Sequence, residues 1–168
     1  MPETRTVQTA QKEVFADLYD NCAHDLYRYA FHFFANADDA ADAVQEAALA
    51  AYSGFPGLRD VAKFRAWMFR IFAVICRRKL RGIIAARETL PTEALDNVAA
   101  LSSDIDLSLT LRESLGMLPE TERELVLLAV VGGYKSREIA DMLGMSPGSV
   151  RSKLSRTLAK LRANLAAE

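Results

Sequence analysis

The stretch "GGYKSREIADMLGMSPGSVRSKLSRTLAKLRANL", residues 132–165, limits what this chain can fold into more than any other segment. "SREIADML" sets Ile139, Ala140 and Leu143 at helical spacing, and "GMS" is a tight turn at Gly144. Ser146 is a good N-cap and Pro147 a good first helical residue. In the helix that follows, Val150, Leu154, Leu158, Leu161 and Leu165 line one stripe. Lys153, Arg156 and Lys160 lie nearly opposite, and Arg151 and Arg162 flank the stripe. A helix, a short glycine turn and a second, basic helix make the pattern of a helix-turn-helix. Such a second helix buries one face and offers the other to the major groove, where arginines pair with guanine or phosphate. Ser149, Arg151, Ser152, Ser155 and Arg156 hold the positions for that contact, and Arg137 and Lys153 join the same candidate surface. The competing reading is a helical hairpin with a solvated basic face.

The rest of the chain reads as helix too. With 168 residues, half of them apolar, it can bury a core, and glycine and proline are scarce. "KEVFADLYDNCAHDLYRYAFHFF" repeats apolar residues at helical spacing until "ANADD" breaks it. Asn36 or Asp38 caps a second helix, "DDAADAVQEAALAAYSGF", whose early acids suit the helix dipole. A third helix is predicted over residues 61–80, with Phe64, Trp67, Met68, Ile71, Phe72 and Ile75 on one face, so Trp67 is assigned to the core. Residues 88–107, with Pro91, five acids and weak periodicity, read as an acidic linker. Beyond it, "LSLTLRESLGML" is a short helix. "LPETERELVLLAVVGG" is another, opened by a Thr121–Glu124 capping box and closed by Gly132 and Gly133. The expected fold is all-α: an N-terminal helical bundle over residues 1–87, the linker, and a helix-turn-helix domain over residues 108–168.

Net charge is −1, but the charges are segregated. Residues 1–60 carry ten acids and four bases. Residues 61–87 carry eight bases (Lys63, Arg65, Arg70, Arg77, Arg78, Lys79, Arg81, Arg87) and no acid. Residues 146–165 carry five bases and no acid. Alternation on this scale points to separate partner surfaces, two of them for polyanions.

Other function classes find no footing in the residues. There is no apolar run of membrane length and no apolar signal core at the N-terminus. Cys22 and Cys76 read as packing residues, and Cys22 with His24 is too few ligands for zinc. His24 and His32 read as core or surface residues. No Gly-rich phosphate loop or Ser/His/Asp arrangement is present, so no catalytic residue, metal or cofactor is expected, and a reducing cytoplasm fits.

At this point the sequence resembles a family. "LPETERELVLLAVVGGYKSREIADMLGMSPGSVRSKLSRTLAKLR" looks like region 4 of bacterial sigma factors of the extracytoplasmic-function group, within the sigma-70 family. "DDAADAVQEAALAAY" and "FPGLRDVAKFRAWMFRIF" look like the companion region 2. The resemblance covers about residues 12–82 and 108–165. It implies a promoter-specificity subunit with no catalytic site of its own. The second helix would dock on the clamp helices of the largest core polymerase subunit through Asp39, Asp42, Gln45 and Glu46. The loop before the third helix and that helix's basic face would hold the upstream −10 element, with Lys63, Arg65, Arg70, Arg77 and Arg81 on backbone phosphates. The last helix would read the −35 element. The linker would follow the RNA exit path, and an anti-sigma factor is an expected partner.

The sequence departs from the family pattern at Val74, where the motif usually has Asn, and at Ala41, where an acid is common. Alanines also stand in the second helix where bulkier apolar residues are common. An atypical −10 preference, or weak melting, is therefore expected. Two other readings stay open: a sigma-like decoy for an anti-sigma factor, and a stand-alone helix-turn-helix repressor.

Overall fold

The computed structural model describes residues 2–89 and 109–167. These form seven α-helices and two 3₁₀ turns, with no strand among the described residues. The N-terminal half comprises α1 (Pro2–Phe34), α2 (Ala37–Gly54) and α3 (Phe64–Thr89), with 3₁₀ turns Phe55–Gly57 and Val61–Lys63 before α3. The C-terminal half comprises α4 (Leu109–Gly116), α5 (Glu120–Val130), α6 (Ser136–Leu143) and α7 (Pro147–Ala166).

α1 ends at Ala35, a non-glycine residue at φ 53°, which turns the chain sharply into α2. Asn36 then caps α2, its Oδ1 accepting from Asp39 N at 3.0 Å. α2 buries Ala40, Ala43, Ala47 and Ala51 in one row. The alanines that depart from the usual pattern are thus the close-packing ridge of this helix.

α3 differs from its expected span. Val61–Lys63 is a separate 3₁₀ turn capped by Asp60, whose Oδ1 accepts from Ala62 N at 3.1 Å. The helix then runs on to Thr89, because nothing from Leu80 onward breaks it except Gly82, and one glycine costs only about 1 kcal/mol. Glu88 and Thr89, expected in the linker, are its last turn, and the remainder of the linker lies outside the described residues. The buried set is also wider than one face. Phe69, Ala73 and Cys76 are buried along with Phe64, Met68, Phe72 and Ile75, whereas Trp67 and Ile71 are only partly covered. The reason is that α3 is packed from two sides.

One apolar cluster joins the two halves. Leu26, Tyr29, Phe33, Met68, Phe69 and Phe72 continue into Leu125, Leu128, Ile139 and Val150. Each such side chain contributes about 1.5–3 kcal/mol on burial. A smaller cluster, Leu115, Leu118, Val126 and Leu161, holds α4, α5 and α7 together.

The Thr121–Glu124 capping box does not form. Pro119 is the N-cap of α5, with φ −53° and ψ 149° and no side-chain cap, so Thr121 lies inside the helix. Glu124 is 3% exposed and points into the junction of the two halves. A single backbone–carboxylate contact opens α6 instead, where Glu138 Oε2 accepts from Lys135 N at 2.7 Å.

Candidate nucleic-acid interface

The helix-turn-helix is built as its residues dictate. Gly144 closes α6 at φ 64°, where a Cβ would be strained. Ser146 Oγ accepts from Ser149 N at 3.2 Å, and Pro147 begins α7. α7 buries Val150, Thr157 and Leu161, partly covers Leu154 and Leu158, and leaves Leu165 40% exposed near its C-terminal end. Thr157 was not foreseen as an inward residue; its hydroxyl is satisfied by Lys153 O at 2.7 Å. Arg151, Ser152, Ser155 and Arg156 are exposed on the opposite face, with Ser149 and Lys153 half-buried and Arg137 exposed on α6. Arg156 Nε donates to Ser152 O at 3.3 Å, which lays its guanidinium along the helix surface. The named side chains are hydroxyls and cations, the donor set that phosphates and guanine edges accept, and Glu122 of α5 lines a cleft beside Lys153 and Arg156.

The five bases assigned to α3 and its approach divide into two groups. Lys63, Arg70 and Arg81 are exposed. Lys63 and Arg70 line a cleft of about 300 Å³ with Leu58 and Trp67, opposite Tyr134, Glu138, Asp141 and Met142. Trp67 packs on Phe64, with ring centroids 5.8 Å apart, and turns its open edge to this cleft. Arg65 and Arg77 are engaged within the chain. Arg65 Nη2 lies 3.2 Å from Asp25 Oδ2 and donates to Gly132 O at 2.8 Å, with the guanidinium over the rings of Phe69 and Tyr134. Arg77 Nε lies 3.3 Å from Glu124 Oε1.

Electrostatics at this junction follow from burial. Burial pushes the Glu124 carboxyl up to about 7; Arg77 and Arg81 pull it down and Glu120 pushes it up, and burial outweighs the arginines. The Tyr29 hydroxyl, raised well above its ordinary range by burial and by Glu124, has no hydrogen-bond partner. His32 is likewise buried with neither ring nitrogen partnered. Burial, with Arg28 and Arg112, lowers it to about 4, so the ring is neutral.

On α2, Asp42 and Glu46 turn back to α3: Lys79 Nζ lies 3.8 Å from Asp42 Oδ2, and Arg78 pairs with Glu46. Asp39 is half-buried and Gln45 exposed. Beside Gln45 lie Leu49, 65% exposed, and Tyr52, 44% exposed, on a groove shared with Phe15 and Tyr19 of α1. The reading of α2 from its carboxylates missed this apolar patch; the signal was Leu49 and Tyr52 falling off the alanine row. Cys22 and Cys76 are buried and free. Among the described residues, no group of three His, Cys, Asp or Glu is placed to hold a metal ion, and no helix is long and apolar enough to cross a membrane.

Comparison with known proteins agrees with this architecture. Residues 18–83 match the Sigma-70 region 2 family and residues 108–161 match Sigma-70, region 4. The chain is 31% identical over 147 residues to the ECF RNA polymerase sigma factor SigM of Mycobacterium tuberculosis, covering 88% of this chain and 74% of that protein. It is 24% identical to the ECF RNA polymerase sigma factor SigW of Bacillus subtilis, covering 96% and 94%. Among solved structures, the sigma factor RpoE bound to the anti-sigma factor NepR, from Bartonella quintana, superposes with a TM-score of 0.76 at 22% identity, covering 92% of this chain and 98% of that one. CnrH in complex with the cytosolic domain of CnrY superposes with a TM-score of 0.67 at 30% identity, covering 92% and 88%. Proteins of this kind are promoter-specificity subunits, not enzymes. With both regions present in order and a relative above 30% identity, this chain belongs to the extracytoplasmic-function group of bacterial RNA polymerase sigma factors.

Proposed function

We propose that this chain binds core RNA polymerase through α2 and its apolar neighbours, reads the −35 element with the N-terminal half of α7, and holds the upstream −10 element on α3. The observation that carries the reading is the exposed, acid-free face of α7, where Arg151, Ser152, Ser155 and Arg156 stand opposite buried Val150 and Leu161. Phosphate contacts from Lys63, Arg70 and Arg81 position the duplex, with Arg65 and Arg77 available once they leave their intramolecular partners. Asp39, Asp42, Gln45 and Glu46, together with Leu49 and Tyr52, form the surface for the clamp helices of the largest core subunit. Residues 1–87 and 108–168 are the two functional units, and residues 88–107 bridge them along the RNA exit path. An anti-sigma factor is the regulatory partner, as NepR is for RpoE, and the cytoplasm is the site of action.

The test of the residue assignment uses the assembled polymerase complex. Arg151→Ala and Arg156→Ala should each weaken promoter binding by about 1–3 kcal/mol where the arginine contacts a base. Unchanged affinity in both variants would remove α7 from its role as reader.

A further inference from the structure

Lys153, Arg156, Thr157 and Lys160 fall at positions i, i+3, i+4 and i+7 of α7, so they share one side of the helix. With Glu122 of α5 they line an open cleft of about 390 Å³. The Thr157 hydroxyl already donates to Lys153 O at 2.7 Å, so the donors left for an anion here are ammonium and guanidinium groups. Glu122 is the odd residue of the set. An acid in the first turn of a helix is ordinarily explained by the helix dipole. Glu120 supplies that charge in the same turn, and Glu122 Oε2 is buried without a hydrogen-bond partner. The hydrogen bonds that anchor this turn belong to its neighbour Arg123, which holds Leu115 O, Gly116 O and Leu118 O. A carboxylate oxygen that the fold leaves unpartnered thus belongs to a side chain set among three cations available to phosphate.

We propose that Glu122 is a specificity-determining residue: its carboxylate weakens the phosphate contacts of Lys153, Arg156 and Lys160, so that base contacts decide where α7 settles. This rests on the reading of α7 as the −35 reader. Phosphate contacts hold DNA of any sequence, and base contacts distinguish one sequence from another. On a non-matching duplex the affinity is electrostatic, and α7 is free to shift until all three cations reach phosphates. That shift brings the backbone against Glu122, which repels it. On a matching duplex, base contacts from the N-terminal half of α7 fix one register. Lys160 lies two turns beyond Lys153, further from those contacts, so less phosphate enters the cleft. The carboxylate therefore penalises non-matching DNA more than matching DNA.

The experiment uses core polymerase assembled with the full-length chain, either wild type or Glu122→Gln, which keeps the shape of the side chain and removes its charge. Two duplex probes are titrated over a range of KCl concentrations. One is the −35 fragment that the wild-type complex selects from a randomised library; the other is that fragment with its −35 bases scrambled. Glu122→Gln should bind the scrambled fragment about threefold or more tightly, with a smaller gain on the selected one. Its salt dependence on the scrambled fragment should steepen by up to about one unit of slope, as one more phosphate is neutralised. Adding Lys153→Gln to Glu122→Gln should return affinity toward wild type, because the carboxylate acts through the cations. A role confined to stabilising α5 would lower the melting temperature of Glu122→Gln and leave the ratio of the two affinities unchanged. An unchanged ratio, or weaker binding to both probes, would overturn the proposal. A wild type that binds the two probes equally would overturn the reading of α7 and the proposal with it. A wild type and a Glu122→Gln that discriminate equally would leave α7 as the reader and remove only the role of Glu122.

Discussion

Arg77 of α3 and Glu124 of α5 face each other at 3.3 Å without a hydrogen bond, because Arg77 Nε donates along its own helix to Ala73 O and leaves Glu124 Oε1 unpartnered. The pair sets a partly exposed guanidinium against a buried carboxyl whose charge burial opposes. Burial has the same source at His32, which lies between α1 and the C-terminal half beside Arg28 and Arg112.

The two groups titrate in opposite senses on folding. Glu124, faced by Tyr29, Cys76, Arg77, Arg81 and Glu120, takes up a proton on folding between its ordinary 4.5 and about 7, so its contribution to stability falls as pH rises through that window. His32 releases a proton on folding between about 4 and its ordinary 6.5, so its contribution grows as pH rises there. The windows overlap and the two effects offset each other in the wild type. Single variants separate them: the stability of Glu124→Gln should rise from pH 4 to 6.5, and that of His32→Phe should fall from pH 4.5 to 7. Denaturant unfolding against pH reads both slopes. Slopes of the same sign in the two variants would contradict the assignment.

Leu49 and Tyr52 form an exposed apolar patch next to Gln45 on α2. Aromatic side chains such as Tyr52 are frequent anchors of a protein interface, and apolar neighbours such as Leu49 exclude water around them. Leu49→Asp should weaken binding to core polymerase by about tenfold or more, a loss of about 1.4 kcal/mol or greater. The melting temperature should stay close to wild type, because Leu49 is largely exposed. Titration of labelled core polymerase distinguishes this patch from the carboxylates, which Asp42→Asn tests in parallel.

Val74 is 54% exposed, one turn beyond Arg70 on α3. On the surface proposed for the −10 element, an apolar residue offers a base no hydrogen-bond donor. Val74→Asn should change which −10 sequences are selected while altering stability by less than about 0.5 kcal/mol. Selection of the same −10 sequences by both proteins would show that this position does not read bases.

Two glycines should respond with opposite sign to alanine. Gly144 sits at φ 64°, so Gly144→Ala should cost about 1 kcal/mol and loosen the helix-turn-helix. Gly82 lies within α3 with open space around its Cα, so Gly82→Ala should stabilise by about 0.5–1 kcal/mol. Ser146→Ala removes the cap on α7 and should cost about 1 kcal/mol. Thermal melts of the three variants measure these differences.

Local signals carried most of the fold. The Asn36 cap, the Gly144 turn and the Ser146–Pro147 start of α7 sit where short-range chemistry puts them. What escaped was set by partners distant in the chain. Phe69 and Cys76 fall outside the stripe of a helix packed on one side, and the C-terminal half reaches them through Tyr134 and Glu124. Glu124 has the spacing of a capping residue, but Pro119 takes the helix start and leaves it facing Arg77. The exposed bases on α7 were legible because most of that face turns outward, with Glu122 of α5 lining a cleft beside Lys153, Arg156 and Lys160. Arg65 and Arg77 look the same in sequence as Arg70 and Arg81, and only the docking of the two halves tells them apart.

The measurement that bears most directly on the account is transcription from a promoter library by purified core RNA polymerase, with and without this chain. The account requires the chain to co-elute with core polymerase and to direct new transcripts from a defined set of sequences sharing −35 and −10 elements. Failure to co-elute, with transcription unchanged across the library, would contradict it and leave the fold serving a decoy or a stand-alone repressor.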